Sequence, residues 1–300
     1  MELRHLRYFV TLAEELHFAR AAERLGIAPP TLTVQIQEIE RTLSAKLFAR
    51  TKRSVALTPA GEIFLVEARN VLAEFARAKI VGRRAGRGEI GRIEIGYVGS
   101  ATYSGVLQAQ TNRFRSAWPE VELNARELPM DDVVAQVKAG RLDVGFVQLP
   151  VALPSGLQSH ILLRDRFCVA LPAPHPKAVA ARPLNPAHLA PEAFVAPEQA
   201  RGTHELARRG RFAPEIVATP GSLVAALAQV SLGMGIAVVP SMLAAVVRLP
   251  NVVFRAIDGE PIASEIAVIF RSHEPSPPVK RFIEQARLSP PAELEFPLAP

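Results

Sequence analysis

Leu16-His17-Phe18-Ala19-Arg20-Ala21-Ala22-Glu23-Arg24-Leu25-Gly26-Ile27-Ala28-Pro29-Pro30-Thr31-Leu32-Thr33-Val34-Gln35-Ile36-Gln37-Glu38-Ile39-Glu40-Arg41-Thr42-Leu43 reads as two short helices about a tight turn. Ala19, Ala21 and Ala22 let another backbone approach the first helix, Phe18 to Leu25. Gly26 can take a left-handed backbone angle and end that helix without strain. Pro29 or Pro30 suits the first turn of the second helix, where no helical N–H is lost. Leu32, Ile36, Ile39 and Leu43 then share one face. Two short helices around a glycine turn form the outline of a helix-turn-helix, whose second helix lies in a DNA major groove. An ordinary helical hairpin in a core fits this stretch equally well, so the flanking residues must discriminate.

Upstream, Leu3, Leu6, Phe9 or Val10, Ala13 and Leu16 recur at helical spacing over 2–16 and predict a helix that covers the hairpin. Downstream, Leu47-Phe48-Ala49-Arg50-Thr51-Lys52-Arg53-Ser54-Val55-Ala56-Leu57-Thr58 has two apolar arms and a basic tip. That is the pattern of a small β-ribbon, or wing, with Arg50, Lys52 and Arg53 placed to meet phosphates or a minor groove. Thr58-Pro59 reads as cap and first turn of a helix running from about Ala60 into the low eighties. Phe64, Ala68, Val71, Phe75 and Ala78 trace a heptad seam along it, widened by Leu65 and Leu72. A second copy of the same helix is the simplest partner for that seam. Gly82-Arg83-Arg84-Ala85-Gly86-Arg87-Gly88-Glu89-Ile90-Gly91 reads as a hinge or linker.

Charge separates the chain in the same way. Residues 1–90 hold 15 Lys and Arg against 10 Asp and Glu, while residues 91–300 hold 20 against 19. A polyanion partner for the first third alone follows from that asymmetry. The single cysteine, Cys168, excludes an internal disulfide, and its apolar surroundings suit a buried thiol. The N-terminus enters a charged amphipathic helix without a signal-like apolar core, and no apolar run reaches membrane-spanning length. The expected location is the cytoplasm, with no membrane partner.

The first ninety residues resemble the DNA-binding end of the LysR-type transcriptional regulators. The resemblance is carried by Leu3-Arg4-His5-Leu6-Arg7-Tyr8-Phe9, Ala19-Arg20-Ala21-Ala22-Glu23-Arg24-Leu25 and Pro30-Thr31-Leu32-Thr33-Val34-Gln35-Ile36-Gln37-Glu38-Ile39-Glu40. Leu47-Phe48-Ala49-Arg50 and Leu57-Thr58-Pro59-Ala60-Gly61 continue it. The look is closest to regulators of aromatic-compound breakdown. It implies a winged helix-turn-helix over 1–58 and a linker and dimerisation helix with hinge over 59–90. An α/β periplasmic-binding-protein-like effector domain of two subdomains follows over 91–300, with subdomain I at 91–163 and 265–290 and subdomain II at 164–264. The implied partners are double-stranded promoter DNA, a small-molecule effector (a carboxylate, aromatic or not) and further copies of the chain. The linker helix would make a dimer and the effector domains a tetramer, with RNA polymerase a candidate partner.

Where the family places Ser-Gln-Pro and a later Ser-Arg, this chain has Ala28-Pro29-Pro30 and Thr33-Val34. Ala28 and Pro29 offer no donor to a base edge, and Val34 cannot neutralise a phosphate. DNA contacts are therefore expected from Pro30, Thr31, Thr33, Gln35 and Gln37, with Arg50, Lys52 and Arg53 of the ribbon.

From Arg92 strands alternate with helices. Strands are expected at 93–98, 121–128, 143–147, 167–171, 192–195, 236–240 and 265–270. Helices are expected at 103–117, 131–139, 200–210, 222–232, 241–247 and 278–288. That order predicts parallel sheets covered by helices, and the proline-rich tail after Ser289 reads as loosely packed. Ligands of open α/β sheets bind beyond the carboxyl ends of strands. The effector candidates are thus Ser100, Ala101 and Thr102, Met130, and Phe146, Val147 and Gln148 at three strand ends, with Gly202, Thr203, His204 and Ser222 at helix starts of the second subdomain. Ser100 matches the first-strand serine or threonine that the family uses for effector, whereas Met130 stands where the aromatic-compound regulators carry a threonine.

An enzyme and a solute-binding protein with an incidental N-terminal helical domain are the rival readings. The seven histidines stand at no metal-ligand spacing, and no phosphate loop, serine elbow or dinucleotide fingerprint occurs. No cofactor, metal or catalytic residue is expected.

Overall fold

The computed structural model describes residues 1–51, 54–179 and 182–294. Its backbone contacts separate two compact units, Met1–Arg84 and Ala85–Pro300.

The first unit comprises α1 (Leu3–Glu15), α2 (Phe18–Leu25), α3 (Pro29–Thr42), β1 (Phe48–Arg50), β2 (Val55–Leu57) and most of α4 (Pro59–Gly86). Each boundary has a local cause. The Glu2 N–H donates to His5 Nδ1 at 2.8 Å and starts α1, and Leu16 in the left-handed region ends it. Gly26, at φ 67°, closes α2, and Pro29 and Pro30 fill the first turn of α3. Phe9 is fully buried, its ring 5.3 Å from Phe48 and 4.8 Å from Phe64. Leu32, Ile36 and Ile39 bury the expected face of α3. Leu43 does not join them: α3 stops at Thr42, so Leu43 is a half-exposed cap.

A buried carboxylate fixes the ribbon to α3. Glu40 accepts the Leu47 N–H at 3.0 Å and the Phe48 N–H at 3.2 Å, and pairs with Lys46 at 3.1 Å and Arg50 at 3.5 Å. On the other side Thr58 donates to the Lys46 carbonyl at 2.6 Å and accepts the Gly61 N–H at 3.0 Å. Gly61 is required here, because a Cβ would stand 2.1 Å from the Leu47 carbonyl oxygen. β1 and β2 pair antiparallel, Phe48 opposite Leu57. α4 continues through Gly82 to Gly86, so the first half of the expected hinge over 82–91 is helix. The turn comes at Gly88, at φ +69°.

The second unit runs β3 (Gly91–Tyr97), α5 (Gly99–Tyr103), α6 (Val106–Ala117), β4 (Val121–Glu127), α7 (Met130–Lys138), β5 (Val144–Leu149) and β6 (Leu157–Pro172). Two 3-10 turns follow, Pro176–Val179 and Pro186–Leu189. Then come β7 (Ala193–Val195), α8 (Arg201–Gly210), β8 (Glu215–Ala218), α9 (Leu223–Ser231), β9 (Ala237–Pro240) and α10 (Leu243–Val246). β10 (Val252–Arg255), β11 (Ala263–Arg271), α11 (Pro277–Arg287) and β12 (Ala292–Glu293) complete it. The main sheet has the order β10-β6-β11-β5-β3-β4, with β9 and β12 also on β6.

Three expectations change. The helix expected at 103–117 is split, because Gly105 at φ 75° separates α5 from α6. The sheet is mixed: β3 is parallel to β4 and β5, but β11 is antiparallel to both β5 and β6. The tail after Ser289 is not wholly loose, since Ala292 and Glu293 pair with Leu163 and Arg164. Strands β8 and β10 and the first half of β6 were not read from the sequence.

β6 joins two subdomains. Leu157 to Arg166 pairs with β11, and Phe167 to Pro172 pairs with β9 and β10. The first subdomain has a core on each face: Ile95, Phe114, Phe146 and Phe282 on one, Val133, Val137, Val147 and Ile269 on the other. The second repeats this, with Phe167, Phe194, Leu206 and Val238 opposite Cys168, Leu227, Val230 and Val239. Full burial pushes the Cys168 thiol up, then the nearby Asp165 charge adds to it, so it stays a protonated core residue.

Glu40 gives a stability prediction. Burial favours its neutral form, but Lys46, the two ribbon amides and Arg50 outweigh burial and hold the carboxyl below its ordinary range. A depressed carboxyl pKa contributes stability that is present above the unfolded value, ~4.3, and is lost as pH falls through the folded one. Glu40→Ala also strands two buried N–H groups and is expected to cost about 3 kcal/mol at pH 7. Urea unfolding followed by circular dichroism should show that deficit, narrowing as pH drops below ~4. An equal deficit at pH 3 and pH 7 contradicts the charge-based account.

Candidate functional site

The outward face of α3 is the first candidate surface. Leu32, Ile36 and Ile39 turn inward, which leaves Pro30, Thr31, Val34, Gln37, Glu38 and Arg41 exposed and Thr33 and Gln35 half-buried. Val34 is 57% exposed and shares a stripe with Pro30, Gln37 and Arg41 at helical spacing. An apolar side chain thus occupies the middle of the face that would meet DNA. Thr33 donates its hydroxyl to the Pro29 carbonyl at 3.1 Å, so that proton is already engaged. Arg50 is partly committed too: it pairs with Glu40, and its guanidinium lies 4.9 Å from the Phe18 ring centroid. Arg41 was not singled out from the sequence, although a basic last helical turn was the signal for it. Lys52 and Arg53 lie outside the described residues.

The second candidate site is a cavity of about 210 Å³ in the second unit, between its two subdomains. The end of β3 and start of α5 bring Val98, Gly99, Ser100 and Tyr103. The end of β4 and start of α7 bring Glu127, Leu128, Pro129 and Met130, and the end of β5 brings Gln148. Phe167 comes from β6 at the crossing. The second subdomain adds Pro197, Glu198 and Gln199 after β7, the start of α9 at Gly221, Ser222 and Leu223, and Pro240.

Of the expected effector residues, Ser100, Met130, Gln148 and Ser222 line this cavity. Ser100 is 3% exposed, and among the described residues its hydroxyl has no hydrogen-bond partner. Gln148 is also buried and donates to the Ser264 hydroxyl at 2.9 Å, which ties the end of β5 to β11. Ser222 is the N-cap of α9, accepting from the Ala225 N–H at 3.2 Å.

The others lie elsewhere. Alternation along β5 sends Phe146 and Val147 into opposite cores. Ala101 is buried in the first core, and Thr102 faces a groove with Tyr97 and Leu107 on the outer side. Gly202 packs on the Phe167 ring, with no room for a Cβ, and Thr203 beside it is fully buried with its hydroxyl unpartnered. His204 opens onto a separate groove with Arg201, Arg208 and Arg209. There Arg208 leads, ahead of Arg209 and against burial, in holding the Glu205 carboxyl down at about 2.

Glu127, Glu198 and Phe167 were missed. Glu127 ends a strand that the sequence did show and Glu198 follows another, so the strand-end rule reached them without being applied that far. Among the described residues no lysine, arginine or histidine lines the cavity, whereas the sequence pointed to a carboxylate effector.

A buried Asp165 braces the crossing. It accepts from the Ser241 hydroxyl and from the Met242 N–H at 3.2 Å. Burial raises its pKa, and these donors with Arg166 only partly offset that.

The chain matches two family descriptions: "Bacterial regulatory helix-turn-helix protein, lysR family" over residues 3–62 and "LysR substrate binding domain" over residues 86–289. It is 36% identical to the uncharacterized HTH-type transcriptional regulator YnfL of Escherichia coli (strain K12), over 94% of this chain and 96% of that protein. It is 32% identical to the HTH-type transcriptional regulator AlsR of Bacillus subtilis (strain 168), over 94% of each. In structure it resembles full-length CbnR complexed with its target DNA, with a TM-score of 0.79 and 29% identity over 96% of this chain and 99% of that one. It also resembles full-length BenM, with a TM-score of 0.57 and 28% identity over 96% of both. A helix-turn-helix with an exposed second helix and a two-subdomain α/β unit with a cavity at its strand ends thus occur here in the order those matches have, and the chain belongs to the LysR family of transcriptional regulators.

Proposed function

We propose that α3 and the ribbon of this regulator hold double-stranded promoter DNA, and that a small molecule in the 210 Å³ cavity changes how they do so. The observation that carries this is the buried, unpartnered Ser100 hydroxyl facing a cavity in the same chain as an exposed recognition helix. A ligand binding across the cavity touches both subdomains, so it favours one relative setting of them over another. It shifts the equilibrium only by its unequal affinity for the two settings. Action on promoter DNA places the protein in the cytoplasm, and no described helix is long and apolar enough to cross a membrane.

Pairing through α4 supplies the second recognition helix that a two-fold DNA site needs. In the single chain Phe64 and Ala68 of the seam pack on the first unit's core, but Val71 and Phe75 are 45% and 47% exposed. Ile80 and Val81 continue that apolar strip. A second α4 would cover it, and contacts between effector domains would extend the dimer to a tetramer.

Two measurements test these assignments. Phe75→Glu places a charge on the strip and is expected to shift sedimentation toward a smaller species. An unchanged sedimentation coefficient contradicts pairing through α4. Fluorescence anisotropy against DNA from upstream of the protein's own gene gives the slope of log affinity on log salt. Val34→Arg adds a cation at the centre of the exposed α3 face and should steepen that slope by about one unit. An unchanged slope contradicts the placement of Val34 against the DNA backbone.

A further inference from the structure

The cavity carries a charge pattern that narrows what it binds. Glu127 enters from the end of β4 in one subdomain, and Glu198 from the turn after β7 in the other. Neither carboxylate has a hydrogen bond or ion pair among the described residues. The cations that follow or precede them in the chain are engaged elsewhere: Arg126 donates to Gln136 at 2.8 Å, and Arg201 to the Pro150 carbonyl at 3.1 Å. The remaining polar side chains, those of Ser100, Tyr103, Gln148, Gln199 and Ser222, are neutral. Burial first, and then the Glu127 charge, push the Tyr103 phenol above its ordinary range, so it stays protonated beside that carboxylate. Gly99 lets this corner close, since a Cβ there would lie 3.0 Å from Glu127 Oε1 and 3.3 Å from the Tyr103 ring.

Resting on the effector-cavity reading above, we propose that the ligand is a small organic cation, an amine or amidine on an apolar body, whose charged nitrogen is met by Glu127 and Glu198. A cation between carboxylates of the two subdomains draws them together, which couples occupancy to subdomain closure. Phe167, Met130 and Leu128 give the apolar body its contacts. The volume suits a single ring with a short chain, for a cavity of about 150 Å³ already accepts benzene. A carboxylate ligand in the same place would meet two like charges, both on exposed residues, and no compensating cation among the described lining residues.

The test uses the full chain and three matched series: 2-phenylethylamine, 2-phenylethanol and 3-phenylpropionate; benzamidine, benzyl alcohol and benzoate; and hexylamine, hexanol and hexanoate. Thermal shift and calorimetry at pH 7 read stability and affinity. At least one amine or amidine is expected to raise the melting temperature and to bind tenfold or more tightly than its alcohol and its carboxylate. Glu127→Gln and Glu198→Gln, which keep the side-chain shape, are each expected to narrow that cation-to-alcohol ratio about fivefold or more. The proposal is overturned if no cation outbinds its matched alcohol, or if both glutamine variants leave the ratio unchanged. Ser100→Leu separates the two levels of the account, because it fills the cavity. Tight carboxylate binding that Ser100→Leu abolishes overturns the cation and keeps the effector cavity. Cation binding that survives Ser100→Leu overturns both.

Discussion

A strand that serves two subdomains cannot change register in one without disturbing the other. β6 is such a strand: nine of its residues from Leu157 to Arg166 pair with β11, and Phe167 to Pro172 pair with β9 and β10. The cavity lies where the two roles meet, with Phe167 at the changeover. Two buried polar ties reinforce the crossing, Gln148 to Ser264 on β11 and Asp165 to Ser241 and Met242 beyond β9. Unpaired, these groups would be costly in a core, so the pairings specify one arrangement of the strands. The loops that line the cavity have rigid roots on these strands while their tips remain exposed, an arrangement in which a ligand can bias the setting of two subdomains.

In the first unit the corresponding constraint is Glu40. One carboxylate on α3 receives the backbone of the ribbon's first strand and two cations at its base. The recognition helix and the wing are therefore one rigid element, and a DNA contact by either sets the other. The same arrangement draws Arg50 partly inward, toward Glu40 and the Phe18 ring. On the proposed DNA-binding reading, contact with the DNA backbone would fall more to cations such as Arg41, since Val34 puts an apolar side chain in the middle of the exposed face.

The sequence exposed what depends on local pattern. Gly26 and Pro29 punctuate the helix-turn-helix, and the apolar steps from Leu32 to Ile39 set its buried face. The alternating strands and helices gave the α/β class. What it hid depends on contacts distant in sequence. The first half of β6 is half-polar because β11 and β12 supply its pairing, and neither is near it in the chain. β11 reads like any other buried strand, so its antiparallel direction was not visible. At the cavity, strand ends located Ser100, Met130 and Gln148, and a helix start located Ser222, but neither says which side chain turns into the core. Phe146 and Val147 turned inward on opposite faces, and Glu127 and Glu198, ordinary solvent-type residues in sequence, line one cavity only through the fold.

The central claim is that occupancy of the cavity alters how the recognition helices sit on DNA. DNase I footprinting of the DNA upstream of the protein's own gene, with and without a ligand found to bind the cavity, tests it most directly. The account predicts protection in both states, with the boundaries of the protected region or its hypersensitive positions changing as ligand saturates, and with Ser100→Ala requiring more ligand for the same change. A footprint identical at every ligand concentration, or no protection beyond that of unrelated DNA, contradicts it.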